Sequence, residues 1–314
     1  MSEPVVVVED VVKDFRPGFG VRRKRVLHGI SFQVRRGEIF GFVGPNGAGK
    51  TTTLKILMGL IRPSAGHARI LGHDVRETEF RRHVGFLPEN PWFHDFLSGR
   101  EFLRFYARLG GVPRAERDAR IDRLLGWVGL AHAGGARLRT YSKGMLQRIG
   151  IAQALVHDPE VVFLDEPMSG LDPIGRVEIR DLVLRLRQEG KTVFMNTHIL
   201  HDVEMLCDRV AILVEGRIRW EGRVEDFEHE GERHTQLVLA RVSPELAGLL
   251  EQRFGAELRG HGERVELRVG EKDVEAVLGA VLGAGAEVIS LVPLRASLER
   301  IFLSAVERAR EGRA

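Results

Sequence analysis

The sequence predicts an α/β protein: a domain on a mainly parallel sheet, a helical subdomain inserted into it, and a small α+β domain after it. Three observations carry this. Short β-branched runs followed by helical stretches recur from the N-terminus to about Trp220, the pattern of strands covered by helices. A glycine-rich segment suited to phosphate lies directly between one such run and a helix. The chain has 314 residues, more than one domain usually holds, and its pattern changes after Glu221.

The strands are read first. Ile39-Phe40-Gly41-Phe42-Val43, Val161-Val162-Phe163-Leu164 and Thr192-Val193-Phe194-Met195 are the best examples. The second is unbroken and apolar, the mark of a strand covered on both faces, so it belongs in the middle of the sheet. Between Pro91 and about Thr140 the period becomes helical, with Phe102, Phe105, Tyr106 and Leu109 on one stripe and Leu124, Leu125 and Val128 on another. The first domain is read as 1–222, its helical subdomain as about 90–157, and the aromatic stripe as packing. Residues 223–314 form the second domain. There Gln236 to Ala240, Arg264 to Val269 and Glu287 to Leu291 read as strands, and Pro244 to Arg253, Val274 to Leu282 and Ser297 to Ala309 as helices. That order suggests a ferredoxin-like α+β domain.

Hydrophobic residues make up 43% and charged residues 29%, which excludes a disordered or fibrous chain. No apolar stretch approaches the roughly eighteen residues of a membrane span. Met1 to Asp10 lacks the basic start and long apolar stretch of a signal peptide. The formal charge of +3 is too small to argue for nucleic acid, and no nucleic-acid partner is expected. Arg22-Arg23-Lys24-Arg25 is either a solvated loop or a contact with anionic headgroups or nucleotide phosphates. Cys207 is the one cysteine; it forms no internal disulfide, which fits a reducing compartment, and it reads as a small buried apolar residue.

The chemistry begins at Gly44-Pro45-Asn46-Gly47-Ala48-Gly49-Lys50-Thr51, which fits G-x-x-x-x-G-K-[ST] and runs into the helical stretch that starts at Thr52. Glycines let successive N–H groups point at phosphate oxygens, and the helix start adds its positive end. Lys50 is expected to reach the β- and γ-phosphates and Thr51 to ligate Mg²⁺. Asp165 and Glu166 stand at the carboxyl end of the buried strand, where ligands of open α/β sheets bind. Asp165 is assigned to Mg²⁺ and Glu166 to orienting or deprotonating the attacking water. Asp172, in the turn before Pro173, is the N-cap of the next helix, a nucleotide contact, or both. His198, just past another strand, is either a packing histidine or a partner of the γ-phosphate.

Tyr141-Ser142-Lys143-Gly144-Met145-Leu146-Gln147-Arg148 resembles the signature sequence of ABC transporter ATPases. The resemblance takes in the phosphate loop, Glu89 at the Q-loop position, Asp165-Glu166, the turn bearing Asp172, and His198, together about the first 220 residues. It implies the ABC-type P-loop ATPase core, with ATP and Mg²⁺ as cofactors. It also implies a head-to-tail dimer, homodimeric or of pseudo-equivalent subunits, in which Ser142 and Gly144 of one subunit complete the other's site. Read from the residues alone, Ser142 caps a helix whose start offers a second anion site.

Phe15 lies at a fitting distance before Lys50 to stack on adenine, or else sits in the core. The sequence departs from the family in carrying Glu89 where Gln is usual, and Lys143 and Met145 in the signature; Glu89 can still ligate Mg²⁺. Residues from about Arg223, with Ser297-Leu298-Glu299-Arg300-Ile301-Phe302, resemble the accessory domain of the drug, sodium and polysaccharide efflux branch. That implies an ATPase on the cytoplasmic face of the membrane, held there by integral membrane permease subunits and working in export. The alternative is a soluble ABC-type ATPase acting on nucleic acid, ribosomes or cofactor assembly. The transported substrate is not legible.

Overall fold

The computed structural model describes residues 3–15, 23–228, 234–261, 264–294 and 298–311. Arg22 of the basic run and Ser297 of the C-terminal motif lie outside them. The chain divides into two compact units, Met1–Val224 with Phe302–Ala314, and Glu225–Ile301.

In the first unit the strands are β1 (Pro4–Phe15), β2 (Lys24–Arg35), β3 (Ile39–Val43), β4 (Ala65–Ile70), β5 (His73–Asp74), β6 (Val84–Leu87), β7 (Val161–Asp165), β8 (Thr192–Thr197), β9 (Arg209–Val214) and β10 (Arg217–Arg223). The helices are α1 (Lys50–Leu57), α2 (Gly99–Leu109), α3 (Arg114–Trp127), α4 (Lys143–Leu155), α5 (Pro173–Gln188) and α6 (Leu200–Leu206). A six-stranded sheet has the order β10-β9-β3-β8-β7-β6. Its β9, β3, β8, β7 and β6 are parallel, and β10 closes one edge antiparallel. Every residue of β3, β7 and β8 is buried. This is the burial that the apolar runs call for, since helices or a second sheet cover both faces.

The second sheet was not anticipated. β2-β1-β4-β5 form a separate four-stranded antiparallel sheet. An aromatic layer joins the two sheets: Phe32 of β2 lies 5.7 Å from Phe40, 5.2 Å from Phe42 and 6.0 Å from Phe194, and Phe163 lies 5.3 Å from Phe194. Phe40 and Phe42 are two apart on β3 and share this face by the two-residue period of a strand. The opposite face meets α6, where Cys207 is buried beside Gly41, as a small apolar residue would be.

α2, α3 and α4 fall between β6 and β7, so the helical stretch is an insertion into the sheet. α2 starts with a capping box: Glu101 N–H donates to Ser98 Oγ at 3.3 Å, and Ser98 N–H donates to Glu101 Oε2 at 2.8 Å. Its stripe is only half packing. Phe102, Leu103 and Ala107 are buried, whereas Phe105 and Leu109 are exposed and join exposed Trp92 and Phe96. The 3.6-residue period identifies the stripe but not its width; four positions spread over α2 reach past the contact it makes with its neighbours.

The unit Glu225–Ile301 contains β11 (His234–Ala240), α7 (Pro244–Phe254), β12 (Glu257–His261), β13 (Arg264–Gly270), α8 (Val274–Gly283) and β14 (Glu287–Leu294); α9 (Leu298–Glu311) begins at its end. The sheet order β12-β13-β11-β14, antiparallel throughout, is that of the expected ferredoxin-like βαββαβ unit. β12 is an addition to the sequence reading, because Glu-Leu-Arg-Gly-His carries one apolar residue and no alternation. Leu237, Leu239, Leu250, Leu267, Val277 and Val281 form the core of this unit.

Candidate functional site

Parallel pairing builds the site. Val43 is in register with Thr197, and Asp165 with Asn196, so the residues that follow, Gly44, Glu166 and His198, leave the sheet at one edge. The phosphate loop turns there because its glycines permit it. A Cβ on Gly44 would lie 2.2 Å from the Leu213 carbonyl oxygen, and Gly49 has φ 114°, a conformation that side chains rarely allow. α1 then starts at Lys50 with no side-chain cap, leaving its first N–H groups for a ligand.

A cleft of about 300 Å³ opens over this edge, and Lys50, Thr51, Thr52, Glu89, Glu166 and His198 line it. Asn46, Gly47 and Val26 are shared with an adjoining cleft of about 610 Å³, which also takes in Pro45, Ala48, Lys24 and Arg25. Lys24 and Arg25 of the basic run thus edge this second cleft, with Arg25 held by Asp14 at 2.8 Å.

Lys50 is buried and folded into its own loop, donating to Gly44 O at 2.7 Å and Pro45 O at 3.4 Å. Burial lowers its pKa, while Glu166, Asp165 and Glu89 oppose that shift. Asp165 lies beneath the cleft at 3% exposure. Burial pushes its carboxyl up to about 6, helped by the negative charges of Glu89 and Glu166 and opposed by Asn196 and Lys50. Glu166 has φ 49°, a left-handed conformation that costs a non-glycine residue about 1–2 kcal/mol and recurs at functional sites. Its carboxylate accepts from His198 Nδ1 at 2.8 Å and from Thr197 Oγ1 at 3.4 Å. That direct Glu166–His198 pair was not foreseen, because residues 32 positions apart meet only through the β7–β8 pairing.

The other assigned residues lie apart. Phe15 ends β1 at 38% exposure, with Lys13 Nζ 5.0 Å from its ring centre; it is not core, and it lines neither cleft. Asp172 caps α5, accepting from Gly175 N–H at 2.7 Å. Ser142 caps α4, accepting from Met145 N–H at 3.2 Å. A Cβ added to Gly144 would have Ser142 Oγ, at 4.0 Å, as its nearest neighbour. This helix start is open, and neither Ser142 nor Gly144 lines either cleft.

Sequence reasoning missed Val26, Asn196 and Thr197 at the site. For Asn196 the one signal was a polar residue after the apolar Val193-Phe194-Met195 run, two positions before His198.

Comparison with known proteins decides the family. A family model described as ABC transporter matches residues 27–169. An uncharacterized ABC transporter ATP-binding protein of Synechocystis sp. is 43% identical over 304 residues, 95% of this chain and 84% of that protein. This chain belongs to the ABC transporter ATP-binding proteins. The ABC ATPase is also 35% identical to the doxorubicin resistance ATP-binding protein DrrA of Mycobacterium tuberculosis, over 94% of this chain and 92% of the other. A solved ATP-binding subunit of an ABC transporter has a TM-score of 0.63 at 31% identity, covering 72% of this chain and 92% of that one. The structure of cbiO1 from Clostridium perfringens, described as part of the transporter complex cbiONQ, has a TM-score of 0.65 at 27% identity, with coverage of 80% and 96%. The ABC ATPase binds and hydrolyses ATP. Among the described residues, no helix is long and apolar enough to cross a membrane.

Proposed function

We propose that this ABC ATPase closes head to tail with a second copy, or a pseudo-equivalent subunit, around two Mg-ATP and drives a separate integral membrane permease in the export direction. The observation that carries the reading is a split within one chain. Lys50, Glu166 and His198 crowd one cleft, while the exposed α4 start at Ser142 and Gly144 lines no part of it. Two-fold symmetry lets each open helix start cover the other subunit's cleft. ATP is then the glue between subunits, and hydrolysis releases them.

Lys50 exchanges the Gly44 and Pro45 carbonyls for the β- and γ-phosphates; Gly44 to Thr52 supply the cradle, and Phe15 and Asp172 contact the nucleotide beyond it. The donor set suits Mg²⁺. No group of three His, Cys, Asp or Glu side chains suited to a metal ion occurs among the described residues, and Mg²⁺ is commonly held by one or two carboxylates with phosphate oxygens and water. Thr51, Asp165 and Glu89 would hold it, and it would neutralise charge on the phosphates. Glu166, oriented by His198, aligns the attacking water and takes its proton. His198 faces the γ-phosphate.

The permease meets the helical subdomain, where Trp92, Phe96 and Phe105 are exposed close in sequence to Glu89. On this reading the ABC ATPase works on the cytoplasmic face of the membrane, held there by the permease. Export draws support from the relatives whose names tie them to drug resistance, and DrrA, matched over 94% of this chain, also favours the efflux-branch reading of residues 223–314. Replacing Glu166 by Gln tests the reading. Hydrolysis falls about 10³-fold, while ATP still traps a dimer on size-exclusion chromatography with light scattering. Undiminished hydrolysis, or a chain that stays monomeric with ATP, rejects it.

A further inference from the structure

Asn196 is 1% exposed in the middle of the parallel sheet, where its register partner on β7 is Asp165. Its side-chain Nδ2 donates to Asp165 Oδ1. Its main-chain carbonyl accepts the Glu166 N–H at 2.8 Å. The side-chain Oδ1, in contrast, is buried without a hydrogen-bond partner. A buried amide with an unmatched carbonyl is a liability to folding, and such groups call for an explanation. An aliphatic residue would extend β8 without that cost, so the asparagine does something the strand does not need. The one thing its side chain does here is donate to Asp165.

We propose that Asn196 is a positioning residue for ATP hydrolysis, holding Asp165 by its side chain and Glu166 by its main chain, so that the metal-facing and water-facing carboxylates keep one spacing. This rests on the reading of Asp165 as a Mg²⁺ partner and Glu166 as the water-orienting base. The donor on Oδ1 fixes the plane of the carboxyl group, so that Asp165 would present one orientation to the cation or its water. The main-chain bond acts on the second carboxylate, holding Glu166 in its left-handed conformation, from which its side chain reaches His198.

The test uses the full-length chain carrying Asn196→Leu or Asn196→Ser, beside the wild type and Glu166→Gln. Three quantities are read: hydrolysis as a function of Mg²⁺, Mn²⁺ binding to the ADP complex by electron paramagnetic resonance, and ATP affinity in excess chelator. The expected result is a metal requirement raised ~10–100-fold by Asn196→Leu, the usual cost of losing a group that orients a metal ligand. ATP affinity without metal stays unchanged, because the Lys50 loop is untouched. Asn196→Ser, smaller and polar, shows the same direction and decides the matter if the leucine variant does not fold. An unchanged Mn²⁺ affinity overturns the proposal, as does a loss of metal-free ATP affinity in parallel with metal affinity. If instead the wild type hydrolyses ATP without metal, or Glu166→Gln matches it, the underlying reading has failed and takes the proposal with it.

Discussion

The phosphate-loop cleft and the start of α4 are both helix starts suited to anions, yet they are finished differently. At the first, α1 has no capping side chain, and the loop's cation turns back onto its own carbonyls. Around it stand Asp165, Glu166 and His198, tied to one another through β8. At the second, Ser142 satisfies one N–H, and nothing crowds Gly144. One site is assembled within the chain from four sheet-edge segments. The other is a local feature left facing outward, where the proposed second subunit would meet it.

The largest break in this comparison comes at Lys50. Lys50→Ala removes charge-assisted bonds to phosphate, each worth about 1.5–3 kcal/mol, so ATP affinity falls ~100-fold or more, as measured by isothermal titration calorimetry. Gly144→Val comes next. The site has room for the side chain, so the fold and the ATP affinity of the single chain persist. ATP-driven dimerisation fails, and hydrolysis falls about 100-fold, the scale of losing one well-placed donor. Unchanged hydrolysis would mean that nothing binds at the α4 start.

A finer contrast sets Ser142 against Ser243, which caps α7 by accepting from Leu246 N–H at the same 3.2 Å. Either serine replaced by alanine lowers stability by about 1 kcal/mol in denaturant titrations. Only Ser142→Ala also weakens the ATP-bound dimer; equal behaviour would reduce Ser142 to a cap.

The smallest effect lies away from both sites. His157 Nε2 lies 3.0 Å from Val84 O, and burial lowers its pKa. The folded chain therefore binds fewer protons here than the unfolded one, so stability is lost as pH falls through the ordinary histidine value near 6.5. His157→Gln removes less than ~1 kcal/mol of that acid sensitivity, read from denaturant midpoints at pH 7.5 and 5.5.

Much of this was legible in the chain. Lys50, Thr51, Asp165 and Glu166 could be placed because each belongs to a contiguous motif beside an apolar run. Ser142 and Asp172 could be named as caps because capping depends on a few neighbouring residues. The antiparallel sheet was not legible, since β1 pairs with β4 across the forty-nine residues between them. β12 was missed because its charged, glycine-containing strand has no alternation to detect. Phe105 and Leu109 were read as packing, although the period of a helix says nothing of how much of its face a neighbour covers.

By itself, the sequence determined the local chemistry: a loop that cradles phosphate, acids at a strand end, and helix starts that can hold an anion. These depend on backbone geometry over a handful of residues. Only the tertiary structure decided that His198 meets Glu166, that Asn196 bonds the Asp165 side chain and the Glu166 N–H, and that Ser142 and Gly144 stand outside the cleft. Those relations arise from strand pairing between segments about thirty residues apart or more, and strand register is set by the packing of the whole sheet.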